Sequence, residues 1–283
     1  MKYICSDKNI IVEDLNDFDL AETLDCGQAF RWKEDEYGGF DGIVEDKVCH
    51  IKKNENKYIL ENCSENDFLN LWWDYFDLNT DYGQIKKILS QNETMAKACK
   101  FSPGIRILRQ KPWETLCSFI ISQNNNIKRI KGIIERLCQT YGNEIEEGFF
   151  TFPSADTLAA LEPDDLSELR AGFRARYIID AARKVSSGEV DLEKVAKLPT
   201  EEAAKELMKI IGVGQKVADC TLLFGFGRID CFPKDVWIKR AMTYLFPDGL
   251  PSEAVPYSGI AQQYIFNYVR VCPEALPSEA VKK

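Results

Sequence analysis

The run Leu207–Arg240 constrains this chain more than any other stretch. An apolar helix end, Leu207 to Ile210, meets Ile211-Gly212-Val213-Gly214, and helical spacing restarts at once with Gln215, Lys216, Val217 and Ala218. The pattern predicts a helix, a tight hairpin and a second helix. Two glycines one residue apart allow positive φ, and they bring bare N–H groups to the positive end of the following helix. Such a corner suits a phosphate. Lys216 falls in the first turn of that helix, where the dipole disfavours an ammonium and an uncharged amine is a nucleophile. Further on, Cys231-Phe232-Pro233-Lys234-Asp235 forms a turn ahead of a third predicted helix, Val236 to Leu245. The Asp235 carboxylate can therefore face back toward the lysine.

Each feature has an ordinary role of its own: a loop, a helix cap and a solvated lysine. Their combination is far more specific. It resembles the helix-hairpin-helix plus Gly/Pro-Asp (HhH-GPD) signature of the DNA glycosylase superfamily, with Ile211 to Gly214 as hairpin and Pro233 to Asp235 as the Pro/Asp loop. The resemblance implies an enzyme that excises damaged bases, and Lys216 implies its bifunctional branch.

Composition narrows the remaining choices. The 283 residues, 45% hydrophobic and 11% aromatic, suffice for two or three small cores without covalent staples. No run approaches a membrane span, and the amino terminus lacks a signal peptide's apolar segment. A cytoplasmic protein is expected, nucleoid-associated in a bacterium or nuclear in a eukaryote. Ten cysteines without a Cys-x-x-Cys pair fit buried thiols in a reducing compartment. They leave no zinc ribbon, and Cys272 alone after Cys231 leaves no four-cysteine iron–sulfur loop near the carboxyl terminus. The single histidine, His50, excludes a multi-histidine metal site and makes any Ser-His-Asp triad depend on that one residue. It sits in a strand-like run and is assigned no role. Net charge is −9, yet Lys100 to Thr140 carries eight Lys/Arg against two Glu, and Lys205 to Arg240 seven against four acids. One basic face on an acidic body fits DNA contact at a defined site, although basic helix surfaces are also common.

Along the chain, residues 1–63 read as an antiparallel meander with one helical insertion near Phe18 to Leu24. Ala29 to Lys33, Phe40 to Lys47, Val48 to Lys53 and Tyr58 to Glu61 are the clearest later strands. From Asp67 onward the spacing is helical, and no convincing strand returns. Predicted helices include Asp67 to Tyr75, Tyr82 to Leu89, Pro112 to Ser122, Ile127 to Tyr141, Pro153 to Arg170, Ala175 to Ser187 and Gly259 to Val269. Several segments are similar, in order, to those of 8-oxoguanine DNA glycosylases: Cys26 to Trp32, Tyr75 to Tyr82, Arg106 to Tyr141, Gly172 to Tyr177 and Tyr257 to Gln262. The fold expected is α+β and mostly α: an N-terminal antiparallel, TBP-like domain over 1–90, then a two-lobed helical HhH-GPD region over 91–283 with its hairpin near 207–220.

The resemblance implies roles residue by residue. Lys216 would attack the sugar and Asp235 would orient it and stabilise positive charge. Gly27, Cys220, Gln262 and Phe266 would form the damaged-base pocket. Asn124, Arg129 and Arg174 would address the opposite base, with Phe173 as the wedge. Asn125, Gly212, Gly214 and Gln215 would contact the DNA backbone. The implied substrate is double-stranded DNA carrying oxidised guanine, handled by a monomer that needs no cofactor and has no protein metal site. Hairpin carbonyls in such motifs can hold potassium or sodium. The chain departs from the family's usual pattern at Trp237, where a phosphate-contacting histidine is common, and at Ile211, where proline often opens the hairpin. A non-catalytic helix-hairpin-helix module would not need Lys216, Asp235 and Gln262 together. A glycosylase for alkylated bases or mismatched adenine would usually lack the lysine.

Overall fold

The computed structural model describes residues 1–281. Its first part is a six-stranded antiparallel sheet: β1 (Lys2–Ser6), β2 (Asn9–Glu13), β3 (Trp32–Glu34), β4 (Phe40–Val44), β5 (Lys47–Asn54) and β6 (Lys57–Glu61), in the spatial order β1-β2-β6-β5-β4-β3. Alternation decides which face is buried. Ile10 and Val12, Cys49 and Ile51, and Tyr58 and Leu60 all point inward. They pack against Leu20 and Leu24 of a short helix (Leu20–Leu24) and against Phe68, Trp72, Tyr75 and Phe76. The Ala29-Phe30-Arg31 part of the expected strand is not sheet; only Trp32–Glu34 pairs. Its apolar residues are buried for another reason. Phe30 belongs to the helical core rather than to the sheet's core, so the chain crosses between the two there.

The second core is helical, centred on the antiparallel-packed pair Pro112–Ser122 and Gln215–Phe226. Thr115 through Ile121 are buried without a break, which is the signature of a helix surrounded by protein on every side. Around the pair stand Ile127–Tyr141, Arg174–Ser186, Val236–Tyr244 and Ser258–Val271. Two expectations fail here. The stretch from Pro153 to Arg170 is not one helix but a short helix, Ala155–Ala159, and a 3-10 segment, Pro163–Leu169, because Pro163 suits only a first turn. Strand also returns once, as the small hairpin Glu144–Glu146 with Phe149–Phe150, whose Gly148 takes positive φ.

The two cores are joined by buried polar groups. Gln28 donates to the carbonyls of Thr23 (2.9 Å) and Arg106 (2.7 Å), and it accepts from the Leu108 amide (2.9 Å). Arg106, 4% exposed, binds the carbonyls of Asn16, Asp17 and Asp77. Arg31 pairs with Glu114 at 3.2 Å, tying the segment before β3 to the central helix. These bonds fix the Cys26-Gly27-Gln28 loop against the helical part. His50 pairs with Asp41 on the neighbouring strand, away from the cavity described next.

Candidate active site

A cavity of about 330 Å³ opens between the helices and the Gly27 loop. Lys216, Asp235, Cys220, Gln262, Phe266, Gly27 and Asn125 all line it. They come from five separate parts of the chain, and each has a local cause for its position. Lys216 is held in the first turn of Gln215–Phe226 by the hairpin. Its Nζ donates to Ser122 Oγ at 3.1 Å and lies 5.0 Å from the centre of the Phe119 ring. Cys220 follows one turn later, and burial pushes its thiol up to about 11. A thiol so disfavoured as thiolate serves as an apolar wall. Gln262 and Phe266 stand on successive turns of Ser258–Val271.

Asp235 caps Val236–Tyr244, accepting from the Ile238 amide at 2.8 Å. Burial raises its carboxyl above the ordinary aspartate range, opposed by that amide and by the charge of Lys216. Asp235 and Lys216 face one cavity without forming an ion pair: the carboxylate caps its own helix, while the lysine Nζ donates to Ser122.

Gly27 adopts φ +92°, and a Cβ there would stand 3.1 Å from Ile127 Cδ1 and 3.5 Å from Phe266 Cε1. Its neighbours are pinned. Gln263 Nε2 donates to Cys26 Sγ at 3.0 Å, and Gln28 makes the bonds given above. Gln262 Oε1 is buried with no donor. A buried acceptor left unpaired costs free energy, so its presence in a cavity wall points to a ligand with an N–H.

The Asn-rich turn links this cavity to a second cluster. Asn124 is exposed with φ +47°; Asn125 donates to the Ile121 carbonyl; Asn126 caps Ile127–Tyr141 by accepting from the Arg129 amide. Arg129 is exposed and reaches the Arg170 carbonyl at 3.2 Å. Arg174 is unexpectedly buried, 3% exposed. It donates to the carbonyls of Gln123, Asn124 (2.8 Å) and Ala171 (3.1 Å), so most of its fork is spent within the protein. Burial, and then the nearby Arg129 charge, lower its pKa. Phe173 is 47% exposed between Arg174 and Tyr177, an aromatic projecting from the surface.

At the hairpin, Gly212 takes φ +82°, and a Cβ there would overlap the Tyr177 ring. Gly214 does not use the left-handed region: it is the extended N-cap, φ −99°, with open space around it. Positive φ is thus required once, not twice. Gln215 is exposed and bonded to Asp219. Trp237 lines the cavity, with Arg240 5.2 Å from its ring centre. Sequence reasoning overlooked Ser122, Phe119, Gln263 and Arg270, which also line it. Ser122 was visible as the last residue of the predicted helix ahead of the Asn run; nothing local marks Phe119.

Comparison with known proteins agrees with this architecture. Residues 10–116 match the family model "8-oxoguanine DNA glycosylase, N-terminal domain", and residues 117–252 match "HhH-GPD superfamily base excision DNA repair protein". The structure of MBOgg1 in complex with a low-affinity DNA ligand superposes with a TM-score of 0.91 at 45% identity, covering 96% of this chain and 100% of that one. The chain belongs to the 8-oxoguanine DNA glycosylase family. The Clostridium acetobutylicum 8-oxoguanine glycosylase/lyase, in complex with double-stranded DNA containing cytosine opposite 8-oxoG, gives 0.90 at 39% identity over 96% of this chain and 98% of that one. An N-glycosylase/DNA lyase of Saccharomyces cerevisiae is 36% identical over 250 residues, 78% of this chain but 66% of the yeast protein's length. Among the described residues no helix is long and apolar enough to cross a membrane, and no cluster of His, Cys, Asp and Glu could hold a metal.

Proposed function

We propose that this chain removes 8-oxoguanine from duplex DNA through a Schiff base at Lys216, cleaves the resulting abasic site by β-elimination, and prefers cytosine opposite the lesion. The observation that carries the reading is the convergence of Lys216, Asp235, Gln262, Phe266 and Gly27 on one purine-sized cavity. A lysine cannot reach C1′ inside a stacked duplex, so the lesion must first be swung out. Phe266 offers a stacking plane and the unpaired Gln262 Oε1 an acceptor for the base's Watson–Crick N–H. Oxidised guanine carries a hydrogen on N7 where guanine has a lone pair. A main-chain carbonyl at Gly27 attracts the first and repels the second.

In the chemical step Lys216 Nζ, as the free amine, forms a bond to C1′, and the C1′–N9 bond breaks, its electron pair leaving with the base, which takes up the proton that the newly bonded nitrogen releases. Asp235 stabilises the positive charge that develops on the sugar. The sugar ring opens to a protonated imine, a C2′ proton is lost, and the 3′ phosphate departs with the C3′–O bond pair. Water then hydrolyses the imine and frees the lysine. Ser122 Oγ and the Phe119 face aim Nζ into the cavity beforehand.

Borohydride reduction on a lesion duplex tests the reading. The wild type should give a covalent protein–DNA adduct, and Lys216→Gln should bind the same duplex without forming one. An adduct at wild-type yield from Lys216→Gln would overturn the assignment.

A further inference from the structure

Among the described residues only two buried side-chain polar atoms lack a partner: Gln262 Oε1 and Arg270 Nε. Both belong to the helix Ser258–Val271, and both residues line the cavity. Gln262, Phe266 and Arg270 follow at intervals of four, so they form one stripe on adjoining turns, with Phe266 in the middle. One unpaired acceptor and one unpaired charged donor thus flank the aromatic plane, a pattern that calls for a single planar ligand presenting both an N–H and an oxygen.

One end of the Arg270 guanidinium is tied down. Its Nη2 donates to Asn267 Oδ1 at 3.0 Å, and Asn267 is itself anchored by donating to Ser102 Oγ at 2.7 Å. Its guanidinium carbon lies 5.5 Å from the centre of the Phe266 ring, and its charge bears on the Cys26 thiol beside Gly27. The guanidinium therefore stands at the Phe266 end of the cavity, near the Gly27 loop. A buried N–H on a cation, left without an acceptor, is costlier than a neutral one. The ordinary role for arginine in a last helical turn is to offset the helix dipole. That role requires charge only; it does not require a buried Nε–H left without an acceptor in a residue that lines a cavity.

We propose that Arg270 is a specificity-determining residue of the base pocket, whose Nε–H donates to an oxo group of the extruded purine while Gln262 Oε1 accepts from that purine's ring N–H. The proposal rests on the function argued above and deepens it. A purine oxidised at C8 presents one oxo group more than guanine presents, and a fixed donor at the pocket wall rewards an oxygen there. Because the donor is held by Asn267 before the base arrives, little ordering is lost on binding.

The test compares affinities for two duplexes, one with 8-oxoguanine opposite cytosine and one with a stable abasic analogue at the same position, which leaves the pocket empty. Binding is measured under non-cleaving conditions in the Lys216→Gln background. Arg270→Met should weaken binding of the lesion duplex on the order of tenfold or more, as expected for a lost hydrogen bond to a charged group, and leave the abasic duplex unchanged. Arg270→Lys keeps the terminal charge but has no Nε, and should lose the same selectivity. Full recovery of lesion affinity in Arg270→Lys would reduce Arg270 to a helix-end charge and overturn the proposal. Equal weakening of both duplexes, or of neither, would also overturn it. A parent protein with no preference for the lesion duplex would instead count against the base assignment itself.

Discussion

At the scale of single residues, Asp235 carries the clearest pH dependence. Burial raises its carboxyl above the ordinary range. Between the unfolded pKa, about 3.9, and the raised folded value, the native state binds more protons than the unfolded one. Its contribution to stability is therefore fully present below that window and lost as pH rises through the folded value. The proposed mechanism needs the carboxylate, so single-turnover base release should fall on acidification with a midpoint above the ordinary aspartate range. Asp235→Asn keeps the helix cap without the charge. It should melt higher than wild type at pH 7 while losing orders of magnitude in rate; a lower melting temperature would refute the burial argument. Gly27 makes the second residue-scale prediction. At φ +92° an alanine costs on the order of 1–2 kcal/mol in backbone strain, and its methyl group would press on Ile127. Gly27→Ala should remain folded, bind undamaged duplex nearly as well, and lose lesion cleavage. Unchanged cleavage would remove Gly27 from recognition.

At the scale of elements, the hairpin separates two glycines that the sequence presents as equivalent. Gly212 needs both its positive φ and its missing side chain, because the Tyr177 ring occupies the space. Gly214 is an extended N-cap facing open space, where alanine costs about 1 kcal/mol at most through loss of a good cap. Gly212→Ala should therefore displace the hairpin and weaken binding to every duplex, damaged or not. Gly214→Ala should melt close to wild type. Thermal melts and duplex titrations of the two variants decide it, and a pair of equal effects would contradict the geometry.

At the scale of the whole molecule, the cluster proposed to address the opposite base draws on different helices, and its two arginines are not in equal states. Arg129 is exposed with one carbonyl partner, whereas Arg174 holds the Gln123 and Asn124 carbonyls. To reach a cytosine, Arg174 must give up bonds that also shape the Asn-rich turn. Cleavage should be faster opposite cytosine than opposite adenine. Arg129→Ala should lower that ratio with little loss of stability, while Arg174→Ala should lower both ratio and melting temperature. Uniform rates across four opposing bases in the wild type would sink the assignment. The seam between the two cores offers a stability counterpart. Arg31 and Glu114 are largely buried, so removing one partner leaves a charge uncompensated. Glu114→Ala should cost about 3–5 kcal/mol in urea unfolding, and a loss under 1 kcal/mol would show that water reaches the pair.

Much of this was legible locally. The sheet strands, the central helices, the hairpin and the Asp235 cap follow from alternation, helical spacing and cap chemistry, all of which act within a few residues. The broken stretch from Pro153 to Arg170 and the hairpin at Glu144–Phe150 were missed because short elements carry too few periods to register. By itself the sequence determined the order and type of the main elements, and that a lysine begins one helix while an aspartate caps the next. Only the tertiary structure decided that Ser122 rather than Asp235 holds the lysine, that Arg174 is buried in carbonyls, and that Gln262 and Arg270 share one cavity with unpaired atoms. Those outcomes depend on which helices pack together and on which polar atoms packing leaves without a partner, and neither is encoded within any short window of the chain.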